Sequence, residues 1–198
     1  MLIPIFKESN VSFKKIKLEI LFKGNSRDEI LNNISLFTSK LINVIDLKLD
    51  GYKNKYRCIL SEQETIKTGT EKLYKKFITL IGYEFGEEIE ESIIKEKNKT
   101  ILVKGNQETP AVVEIIPVVD IIDITLEGLA DDPIKINNLK QNKKVILDGE
   151  LQIITVDGVN KFGDTDMWDF PSLKPGSNTI KISRSDCNIK IKYKPRFI

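Results

Sequence analysis

The chain has 198 residues, 30% of them charged and 40% hydrophobic, with a formal net charge of +2. It contains no histidine, which excludes a Ser-His-Asp or Cys-His nucleophile, an HExxH zinc site and an imidazole base. Thirty-one isoleucines against two alanines, Ala111 and Ala130, favour sheet over helix, because β-branched side chains fit a pleated, half-buried surface.

Residues 12–23 alternate, with Ile16, Leu18, Ile20 and Phe22 set against Lys15, Lys17, Glu19 and Lys23, and predict a half-buried strand. Ser26 and Glu29 then form a capping box. Ile30, Ile34, Phe37 and Leu41 follow on one helical face. A hairpin comes next: Ile45, Leu47 and Leu49 alternate outward, Asp50-Gly51 supplies turn chemistry, and Tyr56, Cys58 and Leu60 alternate on the return. Glu71–Phe85 fits either period. Leu73, Phe77, Thr79, Ile81, Tyr83 and Phe85 suit a strand, while Leu73, Phe77 and Leu80 suit a helix. The neighbouring strands and Gly82 decide for strand, so this half reads β-α-β-β-β, one helix on an antiparallel sheet.

From Gly86 to Lys99 the chain is charged and loses its period, and six of the seven prolines lie at residue 110 or beyond. A domain boundary is expected here, giving domains of residues 1–92 and 93–198. The second half holds eight short Ile/Val-rich runs: 100–104, 111–116, 119–126, 133–137, 143–147, 151–156, 178–183 and 188–193. Turn residues separate many of them, including Asp148-Gly149, Asp157-Gly158 and Lys174-Pro175-Gly176. That spacing predicts a β-sandwich or jelly roll. The fold class is therefore mainly β with one N-terminal helix.

Little of the chain reads as chemistry. Residues 1–98 carry 17 basic and 15 acidic residues, and residues 99–198 carry 14 of each. Neither half has the basic excess that phosphate binding needs, and 27 lysines to 4 arginines leave few bidentate forks, so a solvated Lys/Glu surface is the better account. Phosphate-cradling glycine loops are absent. Asp164, Asp166 and Asp169 could offer oxygens to calcium, but Met167 and Trp168 break the loop spacing and no glutamate closes it. Glu87, Glu88, Glu90 and Glu91 could supply an acid–base pair for glycoside cleavage, yet consecutive glutamates in a polar stretch read as a solvated connector. Trp168, the single tryptophan, could stack on a sugar, but packing across the strand ends with its indole N–H bonded to backbone is favoured. No enzyme activity, catalytic residue, cofactor or metal site is expected.

Cys58 and Cys187 fall in different expected domains, with nothing to support a disulfide. Met1–Phe6 is too short for a signal sequence, and no run approaches the ~20 apolar residues of a membrane span. Cytosolic synthesis with reduced thiols is expected, and the N-x-S/T triplets at Asn10, Asn33 and Asn98 are incidental.

The C-terminal stretch changes the weighting. MWDFPSLKPGSNTIKIS (167–183) and NIKIKYKPRFI (188–198) resemble the end of siphophage distal tail proteins, through Phe170, Pro171, Leu173, Pro175, Gly176, Asn178, Ile180, Tyr193, Pro195 and Arg196. Pro175-Gly176 suits a tight turn with positive φ at the glycine, and Asn178 is placed to bond backbone as the next strand begins. KKVILDGELQIITVDG (143–158) and the strand-to-helix passage FKGNSRDEI (22–30) also resemble the family.

The resemblance implies an N-terminal ring-forming (belt) domain and a C-terminal galectin-like β-sandwich. It implies a baseplate component in the virion tail tip, synthesised in the bacterial host cytoplasm. There a hexameric homo-oligomeric ring would join the tail-tube protein to the tail-associated hub protein and the adsorption apparatus, including receptor-binding proteins. Sequence-specific nucleic-acid binding and membrane insertion are not implied. At about a hundred residues the second domain has no room for the arm or carbohydrate-binding insertions of some relatives. A minimal ring adaptor is expected, with interfaces on exposed edges such as 12–23. The alternatives are a carbohydrate-binding module using the sandwich and Trp168, and an enzyme built on the acidic residues 164–169.

Overall fold

The computed structural model describes residues 13–198, so the readings on Met1–Phe6 and Asn10 lie outside the described residues. The chain forms two compact units, one on the residues up to Phe85 and one on Gly86–Phe197.

In the first unit the elements are β1 (Lys14–Lys23), α1 (Arg27–Ser39), β2 (Ile45–Lys48), β3 (Lys55–Lys67) and β4 (Leu73–Phe85). The strands pair antiparallel in the order β1-β4-β3-β2. The expected β-α-β-β-β order is thus observed. Ser26 caps α1, its Oγ accepting from the Glu29 N–H at 3.2 Å. The Glu29 carboxylate reaches back to the N–H of Asn25 at 2.9 Å, one residue before the position a full capping box uses. Ile30 and Ile34 bury the helix face, and Phe37 meets Phe22 of β1 edge to face with ring centroids 5.7 Å apart.

The ambiguous stretch is strand β4, at the centre of its sheet. Its buried side chains are Tyr74, Lys76, Ile78 and Leu80 and, at the strand's end on the other face, Phe85, whereas Leu73, Phe77, Ile81 and Tyr83 are only half-buried. The alternation seen in the sequence therefore belongs to the face opposite the helix. Both faces are apolar because a central strand has little contact with water on either side.

Lys76 is the exception on that covered face, 5% exposed and donating to Gln63 Oε1 at 2.6 Å and Thr65 Oγ1 at 3.1 Å. Burial lowers the pKa of its ammonium. Between its folded value and the ordinary ~10.4 the unfolded chain binds more protons, so this group makes stability rise with pH across that window. Lys76→Met is expected to gain about 1 kcal/mol near neutral pH, because Gln63 and Thr65 are exposed and can turn to water. Urea midpoints at neutral and alkaline pH check both points: the gain at neutral pH, and the loss of the alkaline rise in the variant.

The second unit contains β5 (Ile89–Ile94), β6 (Asn98–Val103), β7 (Thr109–Pro117), β8 (Ile121–Glu127), β9 (Ile134–Leu139) and β10 (Val145–Asp148). It continues with β11 (Ile153–Val156), β12 (Val159–Asn160), β13 (Thr165–Asp166), β14 (Ser172–Leu173), β15 (Gly176–Ile182) and β16 (Cys187–Tyr193). Each of the eight expected runs is a strand. One sheet runs β12-β11-β10-β7-β16-β5 with β14 alongside β7, and the other runs β13-β9-β8-β15-β6. Alternate residues of both sheets meet in one core that includes Ile115, Leu126, Ile136, Leu147, Ile180 and Ile191. The chain is mainly β with one α-helix.

Gly86–Lys99 is not the solvated connector that its charge suggested. β5 within it is an edge strand paired with β16. Its glutamates sit beside lysines of the neighbouring strands, Glu90 at 2.7 Å from Lys190 and Glu91 at 2.7 Å from Lys99. A short edge strand with one solvated face needs few apolar residues, which is why the period was hidden. Among the described residues no helix is long and apolar enough to cross a membrane.

Candidate functional site

The segment singled out in the sequence is a strap between the two sheets of the sandwich. Phe170 is half-buried and stacks on Phe162 with centroids 6.2 Å apart. The Pro171 carbonyl accepts the Ala111 N–H at 2.9 Å, and the Ser172 N–H donates to the Leu129 carbonyl at 2.6 Å. Leu173 is fully buried in β14 against β7, and a few residues later the chain enters β15 of the opposite sheet.

Pro175-Gly176 makes the turn, with Gly176 at φ +88°, a region that costs other residues roughly 1–2 kcal/mol. Asn178 fastens it. Its Oδ1 accepts the Lys174 N–H at 2.9 Å, and its Nδ2 donates to the carbonyls of Lys174 (2.7 Å) and Gly176 (3.1 Å). Asn178→Ala is expected to destabilise the sandwich by about 2–3 kcal/mol, because a 9%-exposed side chain that makes three bonds leaves backbone groups unpaired. Chemical denaturation followed by circular dichroism measures it.

The C-terminal residues close the same unit. Tyr193 is buried in the core, the Pro195 carbonyl accepts the Gly86 N–H at 2.9 Å, and the Arg196 carbonyl accepts the N–H groups of Asn106 and Gln107. Each of the ten positions through which the C-terminal stretch resembles that family therefore has a structural task.

The other candidates do not converge. Asp164 accepts from Lys161 at 2.7 Å and from Asn138 at 3.2 Å, and those bonds hold its carboxyl below the usual carboxylate range. Asp166 lies in β13 opposite Lys135, and Asp169 borders a shallow cleft of about 460 Å³ shared with Glu108, Asp131 and Lys174. Among the described residues no group of three or more His, Cys, Asp or Glu side chains is placed to hold a metal. Glu88, Glu90 and Glu91 form surface ion pairs with lysines rather than facing one another across a cleft. Cys58 and Cys187 are free buried thiols, and burial pushes Cys187 up to about 11.

Trp168 corrects the packing expectation. It is 85% exposed and follows Met167, which packs against the core in its place. The flexible thioether fills the space at the strand ends, and the adjacent position is left facing water.

Residues 104–197 match the family described as siphovirus-type tail component, C-terminal domain. Among solved structures, the SPP1 Dit protein, a paradigm of the hub adsorption apparatus in phages infecting Gram-positive bacteria, is similar over 98% of this chain and 83% of its own. That match has a TM-score of 0.76 at 10% identity. A chain of the phage P2 baseplate in its activated conformation with calcium aligns over 90% of this chain and 78% of its own, with a TM-score of 0.49 and 14% identity. No curated protein sequence matches. Residues 104–197 thus match a siphovirus-type tail component C-terminal domain, in line with the resemblance to siphophage distal tail proteins.

Proposed function

We propose that the protein is a structural component of a phage or phage-like tail, located at the tail tip, that works by assembly rather than catalysis. Copies form a hexameric ring through the N-terminal unit. The C-terminal unit is a galectin-like sandwich, and the ring joins the tail-tube protein to the tail-associated hub protein and the adsorption apparatus. The observation that carries this reading is the family match over residues 104–197. The fold similarity to SPP1 Dit, which reaches across nearly the whole chain, supports it.

A ring needs a heterologous interface, in which one patch fits a different patch on the neighbour. The test is light scattering combined with electron microscopy, on the protein alone and with its tube and hub partners. Six-fold rings are expected, and a species that stays monomeric in every mixture overturns the reading.

The exposure of Trp168 keeps a second reading in play, a carbohydrate-binding module in which the indole stacks on a sugar ring. Binding to host wall glycans that is abolished by Trp168→Ala would favour it. An absence of binding in titrations removes it.

A further inference from the structure

The two long edges of the N-terminal sheet carry opposite charge. β1 is outermost on one side, and its outer backbone edge has no strand partner among the described residues. On the other side β2 covers β3 only over Lys55–Cys58. Among the described residues, β3 is therefore an uncovered edge from Ile59 to Lys67. The register aligns Lys17, Thr79 and Glu62 in one row across the sheet, with Glu19, Phe77 and Glu64 in a second row on the same face. Lys15 and Lys17 on the first edge, and Glu62 and Glu64 on the second, form no ion pair with any described residue.

We propose that copies of this chain join head to tail through these edges, β1 of one copy lying against the Ile59–Lys67 stretch of β3 in the next. The proposal rests on the ring reading and names the surfaces that the ring would use. β1 runs antiparallel to β4 and β4 antiparallel to β3, so β1 and β3 point the same way. A rotation that repeats the sheet around a ring keeps that sense, and the new ladder is parallel.

Charge then selects the register. With no stagger, Lys17 meets Glu62 of the next copy, but Glu19 meets Glu64. A stagger of two residues places Lys15 opposite Glu62 and Lys17 opposite Glu64. The reverse stagger sets Glu19 against Glu62. An even stagger also keeps every side chain on its own face, as a continuing sheet requires.

The same charges work against one symmetric alternative. β3 against β3 brings Glu62 and Glu64 together, so a two-fold dimer through that edge is disfavoured, whereas β1 against β1 can set Lys17 against Glu19 and is not opposed by charge. Lysines and a bulge also protect edges from promiscuous pairing, and β3 has a register shift between Leu60 and Glu62. Protection alone, however, does not require opposite signs on the two edges.

The test uses the full chain with its tail-tube and hub partners. The charge reversals Lys15→Glu/Lys17→Glu and Glu62→Lys/Glu64→Lys are each expected to weaken association roughly tenfold or more, and the fourfold swap to restore it. Lys17→Cys/Glu64→Cys is expected to cross-link copies into a covalent ladder on non-reducing gels, while Cys58 and Cys187 stay buried and silent. If the unaltered protein forms rings but neither reversal weakens them and no ladder appears, the edge pairing is wrong and the ring reading stands. If the unaltered protein forms no rings at all, the ring reading itself fails.

Discussion

Ile115→Ala is expected to cost the sandwich about 3–4 kcal/mol, within the ~2–5 kcal/mol range for emptying a well-packed core position. Ile115 is fully buried in β7, with Val145 of β10 on one side and Ile189 of β16 on the other. Both neighbours belong to the same sheet, and the opposite sheet closes over them in a single core. The backbone of a central strand cannot sink into the vacated space without breaking two ladders, so much of the cavity remains. Ile115→Val removes one methylene and should cost only about 1 kcal/mol. A denaturant titration of the two variants checks the ratio. Equal, small losses would show that the strand relaxes and that this core is softer than its packing implies.

Gly82→Val is expected to be at least as damaging in the N-terminal unit, at about 3 kcal/mol or more. Gly82 lies in β4 opposite Cys58, and a Cβ built there falls 2.0 Å from the Arg57 carbonyl oxygen and 2.7 Å from the Cys58 Cα. These are backbone atoms of the adjacent strand and cannot swing aside as a side-chain tip can. β3 and β4 would have to part next to the Asp46–Arg57 ion pair, where Arg57 Nε lies 2.8 Å from Asp46 Oδ1. Thr79→Val, a near-isosteric change on a half-buried position of the same strand, serves as the control and should shift the midpoint little. Circular dichroism with limited proteolysis distinguishes a loosened first unit from global loss of structure.

Local pattern carried most of the fold. Strand periods, the Ser26 cap, the Asp50-Gly51 turn, which has Gly51 at φ +81°, and the eight runs of the second half all rest on interactions between near neighbours. What failed depends on partners distant in sequence. β5 looks like linker because its apolar face is short and its strand partner β16, with the Lys190 that meets Glu90, lies about a hundred residues further on. The buried Lys76 was not singled out, since only the fold brings Gln63 and Thr65 to its ammonium group. Composition cannot say whether Met167 or Trp168 packs against the sandwich core, and the fold chooses Met167.

The C-terminal segment was readable for a different reason. Phe170, Pro171, Leu173, Gly176 and Asn178 each meet a narrow steric or hydrogen-bonding demand, so few residue types can stand there. Such a segment identifies a fold more directly than it identifies an activity. The charged rows on β1 and β3 show the converse. Each lysine and glutamate looked like ordinary solvated surface until the register placed opposite signs on opposite edges.

The exposure of Trp168 also makes the molecule its own optical probe. As the single tryptophan, already 85% exposed, it should emit in the folded protein much as it does in the unfolded chain, so its fluorescence is a poor monitor of denaturation. The same property makes it a sensitive monitor of docking. Any partner that covers this corner of the sandwich would shift the emission to the blue and shield it from iodide, while a partner bound elsewhere would leave both unchanged.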